Sequence, residues 1–234
     1  MLHVMLLECA IELVPRELTS LKEIQAHARR RRKKPGELML DQTHHGRAMT
    51  RLDGKEKRGR PDITFLSLLS ILETPLCKAG LLTVHLHLLD GRVIEINPDV
   101  RLPRNYDRFI GLFEQLLMNG RIPPEGEPLA RVIDTSLPNL ISDLAAGSGE
   151  SLVLLAIEDG AKTSAESLRN ILPQDSSVHV ILGVGAFPHG NMPDSVKELF
   201  STHLELDKEV MMAWHVCAEV LWAYSSRVGI IGRW

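Results

Sequence analysis

The chain has 234 residues, of which 44% are apolar and 24% charged, and its net charge is −3, which is typical of a globular protein with a substantial hydrophobic core. No stretch approaches the roughly 18 apolar residues of a membrane-spanning helix, so we predict no membrane partner. The three cysteines are widely spaced, which is typical of reduced thiols in a cytoplasmic protein and argues against a disulfide framework or a zinc site.

The first part of the chain opens with an apolar segment. HVMLLECA predicts a buried strand; because Glu8 and Glu12 interrupt the apolar run and no basic leader precedes it, we do not interpret it as a signal peptide. A helix is predicted after Pro15, with the basic run ARRRRKK at residues 28–34 beyond it. Residues 34–62 are polar, contain glycine, proline and a His-His pair, and are predicted to be mostly loop.

A helix, a β-hairpin and a second helix are predicted for the middle of the chain. ITFLSLLSILE, residues 63–73, has the apolar spacing of a helix. Two alternating runs then flank Asp90-Gly91, a strong hairpin signal. Residues 106–120 predict an amphipathic helix that ends at a glycine. The segment RIPPEGEP follows and could separate two lobes.

The second half of the chain alternates apolar strands with helices. SLVLLAIE, residues 151–158, and VHVILGVG are predicted strands on either side of the helix SAESLRNIL. A helix near 194–201, a short strand at HLEL and a long helix at 208–226 complete the pattern. This alternation predicts a parallel α/β sheet with helices on both faces.

The segment ILGVGAFPHGN contains a group of glycines at the end of a predicted strand, where ligands of open α/β sheets bind: Gly183, Gly185 and Gly190. A proline stands where a dinucleotide-binding fingerprint requires its third glycine, and no Gly-Lys-Ser/Thr of a phosphate loop follows. We therefore predict a backbone-lined slot for a flat, mostly uncharged group such as a nucleoside. A tight surface turn is the alternative.

Basic charge is concentrated in the first half of the chain. Residues 1–117 hold 19 Lys and Arg against 15 Asp and Glu, whereas residues 118–234 hold 8 against 15. The basic residues cluster in ARRRRKK, in KEKRGR at 55–60 and after residue 100, so we expect a polyanion such as a nucleic acid to bind this half. For any one of these runs, a solvated surface is the alternative.

Arginines in RGRPD and VRLPRNYDR are the strongest candidates for phosphate contacts. Arg104 and Arg108 are predicted to share one face at the start of a helix, and Arg101 precedes them in an extended segment. Asp62 is placed to hold the guanidinium of Arg60. The alternative is a structural ion-pair cluster without a ligand.

The last long helix and the histidines carry weaker signals. The apolar residues around Trp214 and Trp222 cover more than one narrow stripe, so part of this helix is predicted to form a dimer interface in addition to core. The pair at 44–45, His85 and His87 lack metal-ligand spacing and are predicted to be packed or surface residues, so no metal site is expected. No Gly-x-Ser-x-Gly motif of covalent catalysis is present.

Five segments together resemble the nucleolar essential protein family of rRNA pseudouridine-N1-methyltransferases. They are, in chain order, ELVPREL, KKPGELMLD, EKRGRPDIT, NPDVRLPRNYDRFIGLFEQLL and GAFPHG. The resemblance extends from about residue 6 to about residue 226. Since the chain as given has no long N-terminal extension, it is similar to the compact archaeal form.

This family belongs to the SPOUT class of methyltransferases, and the resemblance implies a fold and an activity. The fold would be α/β, with a SPOUT-type sheet, helices on both faces, an inserted β-hairpin and helical segment, and a C-terminal deep trefoil knot. Residues 1–234 would form a single domain, with the RNA-binding arginine face mainly within 28–110 and the knotted cofactor-binding region at about 151–228. A homodimer would use S-adenosylmethionine to methylate N1 of one pseudouridine in a small-subunit rRNA loop during ribosome biogenesis. Small-subunit ribosomal proteins are further candidate partners.

The resemblance also implies site residues. RNA would contact Arg60, Arg101, Arg104 and Arg108. Arg60 or Arg101 would stabilise the base as N1 loses its proton, and Asp62 would orient Arg60 or act as a base. The methyl donor would be held by Ile157, Glu158, Gly183, Gly185, Gly190, His203, Leu204, Glu205, Leu206, Asp207 and Lys208.

Two other functions fit the same residues. A non-catalytic rRNA-binding assembly factor would keep the arginine cluster, and only an intact donor loop favours the enzyme over it. A SPOUT RNA methyltransferase with a different target base is the second alternative. A nucleotide-using α/β enzyme is disfavoured by the missing lysine and by the proline of the glycine segment.

Overall fold

The computed structural model describes residues 1–232, and their strands lie in one mixed sheet. In chain order the strands are β1 (Leu2–Cys9), β2 (Leu82–Leu88), β3 (Val93–Ile96), β4 (Arg121–Ile122), β5 (Ala130–Ile133), β6 (Ser151–Lys162), β7 (His179–Gly185) and β8 (Thr202–Glu205). Across the sheet the order is β4-β5-β3-β2-β1-β7-β6-β8. Strands β2, β1, β7, β6 and β8 are parallel, whereas β3, β5 and β4 run antiparallel to their neighbours. The prediction of a parallel sheet is therefore confirmed for one part of the sheet only.

Helices cover both faces of this sheet. They are α1 (Lys22–Arg31), α2 (Gln42–Met49), α3 (Pro61–Ile71), α4 (Pro75–Lys78), α5 (Tyr106–Asn119), α6 (Leu137–Ala146), α7 (Ala165–Ile171), α8 (Asp194–Lys197) and α9 (Ala213–Arg227). The helices predicted near 63–73 and 106–120 are confirmed as α3 and α5. Gly120 ends α5 in the left-handed region, with φ 74°, which a glycine adopts without steric cost.

Several element predictions need correction. Only a short 3-10 turn follows Pro15, and α1 begins at Lys22, so it contains the first arginines of the basic run. Residues 34–62 are not mostly loop, since α2 forms where the Asp41 side chain accepts a hydrogen bond from the Thr43 N–H. The last helix begins at Ala213, later than predicted.

The segment RIPPEGEP does not separate two lobes. It joins β4 to β5, which pair with each other at the edge of the single sheet. The sequence pattern does not predict helix α6 or these two short strands. Within the described part of the chain, no helix is long and apolar enough to cross a membrane.

Strand β1 divides the core into two layers. Val4 belongs to the apolar cluster on one face, which includes Leu68 of α3 and Val216 of α9. Met5, the next residue, belongs to a separate apolar cluster on the other face, which includes Leu140 of α6. This period of two places β1 and its parallel neighbours between helical layers. All three cysteines are free and buried.

Candidate functional site

A cavity of about 450 Å³ lies toward the carboxyl ends of β6, β7 and β8, where open α/β sheets bind their ligands. We call it the sheet-edge cavity. It is lined by Ala156, Ile157, Glu158, Asp159, Val184, Gly185, Phe187, Pro188, His189, Gly190, Asn191, Met192, Lys197, Leu204, Glu205, Leu206, Asp207, Glu209, Val210, Met211, Ala213 and Val216.

A bulge in β6 forms one wall of the cavity. Ala156 and Ala161 both pair with Leu204 of β8, so the residues between them leave the ladder. Within the bulge Asp159 adopts a left-handed φ of 63°, and a Cβ on Gly160 would lie 2.7 Å from the Leu204 carbonyl carbon. The sequence prediction ends this strand at residue 158 and misses the bulge, which presents Ile157, Glu158 and Asp159 to the cavity.

Most of the residues predicted to hold a donor line this cavity, but three do not. Gly183 lies within β7, and a Cβ there would be 2.6 Å from the Phe200 ring, so packing in the core requires this glycine. His203 contacts the Lys197 carbonyl oxygen at 3.1 Å through Nε2, and Lys208 lies outside the lining. The predicted residues that do line it are Ile157, Glu158, Gly185, Gly190, Leu204, Glu205, Leu206 and Asp207.

Two glycines keep the cavity open. A Cβ on Gly185 would lie 3.1 Å from the Phe187 ring and 3.4 Å from the Met192 methyl group, and both of these side chains line the cavity. Gly190 has φ 98°, and a Cβ there would approach Lys57 Cε at 3.3 Å. A side chain at either position would narrow the slot beside Phe187.

Carboxylates dominate the polar lining of the cavity. Five of the lining residues are acidic, and Lys197 is the one lysine among them. A concave surface with negative charge attracts cations and repels phosphate groups. The arrangement therefore suits an elongated ligand that carries positive charge. The five are Glu158, Asp159, Glu205, Asp207 and Glu209.

A second, more open hollow lies beside Arg60, and we call it the Arg60 hollow. Its other lining residues are Gln42, Thr43, Asp62 and Tyr106. Arg60 donates two hydrogen bonds of 2.8 Å, from Nε and Nη2, to the two carboxylate oxygens of Asp62, which confirms the predicted pair. The hydrogen bonds with Asp62 raise the pKa of Arg60, so its guanidinium stays charged.

Tyr106 is not predicted as part of a site by the sequence. Its hydroxyl donates a 2.8 Å hydrogen bond to Asp41 Oδ2, and Asp41 in turn caps α2, which supplies Gln42 and Thr43 to the hollow. Burial, together with the bond to Asp41, raises the pKa of Tyr106, so its hydroxyl remains protonated. In the sequence, Asp41 is a typical N-cap residue, and it could have indicated that helix α2 begins directly after it.

The three later arginines do not line either hollow. Arg101 is exposed in the segment between β3 and α5. Arg104 is also exposed and lies 3.7 Å from Glu73. Asn105 is the N-cap of α5 and accepts a hydrogen bond from the Arg108 N–H, so the helix begins after Arg104. The prediction that Arg104 and Arg108 share one helical face is therefore wrong.

One segment connects the two hollows. Lys57 Nζ lies 4.5 Å from the centroid of the Phe187 ring, on the wall of the sheet-edge cavity. Arg60 follows only three residues later. Since three residues span at most about 11 Å, the Cα atoms of Lys57 and Arg60 are no farther apart than that. The wall of the sheet-edge cavity at Phe187 and the Arg60 hollow are thus linked by one short segment of the chain.

His27, His45 and His85 are packed into the fold, whereas His44 is exposed. His27 Nδ1 and His45 Nε2 are 2.8 Å apart, and burial lowers the pKa of His45 to about 4. His85 is buried in β2, where burial lowers its pKa. Among residues 1–232, no three His, Cys, Asp or Glu side chains are grouped so that they could hold a metal ion.

Comparisons with known proteins give consistent results. The sequence profile of the family described as "EMG1/NEP1 methyltransferase" matches residues 4–225. The chain is 38% identical over 220 residues to the "Ribosomal RNA small subunit methyltransferase Nep1" of Staphylothermus marinus, covering 94% of this chain and 93% of that protein. It is 42% identical over 224 residues to the protein of the same name from Thermococcus sibiricus, with 96% and 97% covered. The crystal structure of Archaeoglobus fulgidus Nep1 bound to S-adenosylhomocysteine matches it with a TM-score of 0.82 at 32% identity, covering 97% of this chain and 98% of that chain.

Proposed function

The chain belongs to the EMG1/NEP1 methyltransferase family, and on this basis we propose that it transfers a methyl group from S-adenosylmethionine to small-subunit rRNA. The observation that carries the proposal is the sheet-edge cavity, which lies at the carboxyl ends of parallel strands. A solved relative of this chain, from Archaeoglobus fulgidus, was crystallised with S-adenosylhomocysteine, the donor without its methyl group. The two relatives named above are small-subunit rRNA methyltransferases.

The cavity has the chemistry that this donor requires. The slot between Gly185 and Phe187 suits the flat adenine, and backbone groups near Leu204 and Leu206 suit its polar edge. The acidic lining suits the positive sulfonium and ammonium groups and disfavours a nucleotide phosphate. When bound, the donor supplies a methyl group that is already activated, so the protein contributes mainly alignment.

We further propose that N1 of a pseudouridine is the target and that the Arg60 hollow receives the base. The imide-like N1 must lose its proton, which passes to solvent water, and the permanently charged Arg60 stabilises the negative charge that develops on the ring. Both oxygens of Asp62 are engaged by Arg60, so Asp62 orients the guanidinium and is poorly placed to abstract a proton. Arg101 is exposed and free to approach RNA from the same half of the chain. A base from an unpaired loop reaches such a hollow at the lowest cost.

A homodimer formed through α3 and α9 completes the proposal. These two helices pack against each other and carry exposed apolar residues, namely Leu66, Leu69 and Trp222, with 38%, 38% and 52% of their surface exposed. Exposed apolar residues on neighbouring helices indicate an interaction surface. A cytoplasmic location is proposed as well, since buried free thiols suit a reducing compartment.

The cofactor-binding region, at about 151–228, is proposed to form the deep trefoil knot of the SPOUT class within a single domain. The strand order supports this: β7 lies between β1 and β6, while β8 pairs with the outer side of β6. From there α9 returns to contact α3, α7 and β7. Within 28–110, we propose that Arg60, Arg101, Arg104 and Arg108 contact the target loop of the RNA.

Incubation with labelled S-adenosylmethionine and two loop RNAs tests the activity. One RNA carries pseudouridine at the target position and the other carries uridine. Label in the pseudouridine RNA alone supports the proposal, and label in both indicates a different target base. Tight RNA binding without any transfer would identify an assembly factor. Gly185→Val is the control, because it closes the slot beside Phe187 and should abolish transfer.

A further inference from the structure

A buried carboxylate fixes the basic run 28–34 to α5. Glu114 of α5 is only 1% exposed and accepts hydrogen bonds from Lys33 Nζ at 2.5 Å, from Arg31 Nη2 at 3.3 Å and from the Met39 N–H at 2.9 Å. A charge buried to this extent is tolerated only when it is paired and hydrogen-bonded. Glu114 therefore holds two cations of the run and the chain that follows them in one position.

The four other cations of the run face the solvent. They flank the two anchored residues, and we call them the basic strip: Arg29, Arg30, Arg32 and Lys34. Arg32 ends α1 in a left-handed conformation, with φ 54°. This turn lets Lys33 return to Glu114 while its neighbours Arg32 and Lys34 stay exposed. The strip is thus displayed from a backbone that is anchored at Arg31 and Lys33.

The basic strip is displaced from the Arg60 hollow along α5. Tyr106, which lines the hollow, and Glu114, which anchors the strip, are eight residues apart, or about 12 Å along the helix axis. Asp41 accepts a hydrogen bond from the Tyr106 hydroxyl, and the Met39 N–H donates one to Glu114. The segment that contains Met39 and Asp41 therefore runs beside α5. Measured along the axis of a B-form duplex, where each strand carries one phosphate per roughly 3.4 Å, this distance corresponds to three or four nucleotides.

We propose that the basic strip binds the rRNA backbone several nucleotides away from the methylated base, on the stem that carries the target loop. The inference rests on the proposed rRNA substrate and adds a second contact surface to it. Exposed guanidinium and ammonium groups bind phosphates without reading sequence, so the strip contributes affinity and register, not the choice of base.

The test compares a minimal target-loop oligonucleotide with the same loop on an extended stem. Arg30→Ala/Arg32→Ala should raise the Kd of the extended RNA by about tenfold near 0.1 M salt, and should reduce the slope of log K against log salt by about 1.5. Methylation of the minimal loop should keep its kcat and KM. Because both substituted side chains are exposed, the fold should be retained.

A matched control removes two exposed cations elsewhere, Lys78→Ala/Arg169→Ala, and should leave both RNAs unaffected. Equal losses with the two RNAs, an equal loss in the control, or no loss in the strip variant would overturn the inference. Binding to phosphatidylserine vesicles is measured as well. A strip variant that loses binding to these vesicles but keeps its binding to RNA would also overturn the inference. Absence of methylation of either RNA by the wild-type protein would count against the proposed activity alone, since the Kd and the salt slope are measured without transfer.

Discussion

Glu8 and Lys57 form an ion pair of 2.5 Å between the carboxyl end of β1 and the segment that leads to Arg60. The two side chains are only 10% and 18% exposed. Glu8 adopts a left-handed backbone conformation, with φ 52°, which is uncommon for a residue other than glycine. Strain of this kind persists where the surrounding structure fixes it, and it is frequent at functional sites. Here the pair holds Lys57 over the Phe187 ring of the sheet-edge cavity.

Replacing Lys57 should therefore affect both stability and donor binding. Lys57→Met leaves the Glu8 carboxylate buried without its partner, which should destabilise the protein by about 3 kcal/mol. It also removes the cation from the Phe187 ring, so the affinity for S-adenosylhomocysteine should fall several-fold. Denaturant titration and calorimetry measure the two effects. The double variant Glu8→Gln/Lys57→Met removes the Glu8 carboxylate together with Lys57, so most of the lost stability should return. A double variant as unstable as Lys57→Met alone would contradict this account.

The two glycines of β7 should respond differently to substitution. Gly183→Ala places a methyl group against Phe200 in the core, which should lower stability by about 1–3 kcal/mol and leave donor affinity in the folded protein nearly unchanged. Gly185→Val fills the slot beside Phe187, so donor binding should be lost while the melting temperature changes little. Thermal melts and calorimetry with S-adenosylhomocysteine distinguish the outcomes. Normal donor binding by Gly185→Val would remove this slot from the site.

The contrast between these glycines shows where prediction from sequence stops. Gly183 and Gly185 are two residues apart, so they lie on the same face of β7, and residue type alone cannot separate them. Tertiary packing does so, because Phe200 covers Gly183 while Gly185 lies beyond it at the cavity. The hairpin at Asp90-Gly91 is predictable because its turn signal is local.

The Arg60 hollow can be predicted from the sequence only in part, for a similar reason. The Arg60–Asp62 pair is local in sequence, and the two-residue spacing indicates it. The floor of the Arg60 hollow depends on Tyr106 reaching Asp41 across 65 positions, and nothing in either segment alone indicates that contact. Likewise, the sequence predicts a loop where α2 forms. The N-cap residue Asp41 alone does not specify a helix, because α2 also depends on tertiary packing of its buried residues.

Arg101→Ala should reduce methylation without affecting the fold. Arg101 is exposed, so its truncation should leave stability and donor affinity close to wild type. If it binds RNA and stabilises the anionic base, kcat/KM for the loop RNA should fall by about tenfold or more. Single-turnover methylation assays measure this, with Arg169→Ala, an exposed arginine on α7, as the control. Unchanged kinetics in Arg101→Ala would exclude the proposed role.

Stability should decrease in acid because of the buried histidines. Burial lowers the pKa of His45 to about 4, below its ordinary value of 6.5, so the folded protein binds fewer protons than the unfolded chain between these values. The contribution of neutral His45 to the free energy of unfolding is therefore complete above about pH 6.5. It is lost as the pH falls toward 4, by no more than about 1.4 kcal/mol per pH unit. His27, its neighbour, has its pKa lowered in the same direction by burial. Denaturant titrations at pH 7.5 and 5 should show a smaller loss of stability in His45→Gln than in wild type; parallel losses would rule out this origin.

The proposed dimer depends on apolar residues that are exposed in a single chain. Trp222 of α9 is 52% exposed, beside α3 with its exposed Leu66. Trp222→Glu places a charge in the interface, so light scattering after size-exclusion chromatography should show a monomer where the wild type shows a dimer. Met118→Glu makes the same change at a residue that is 40% exposed on α5, a helix outside the proposed α3–α9 interface, and should leave the dimer intact. A wild-type protein that is monomeric at every concentration, or a Trp222→Glu variant that stays dimeric, would remove α9 from the interface.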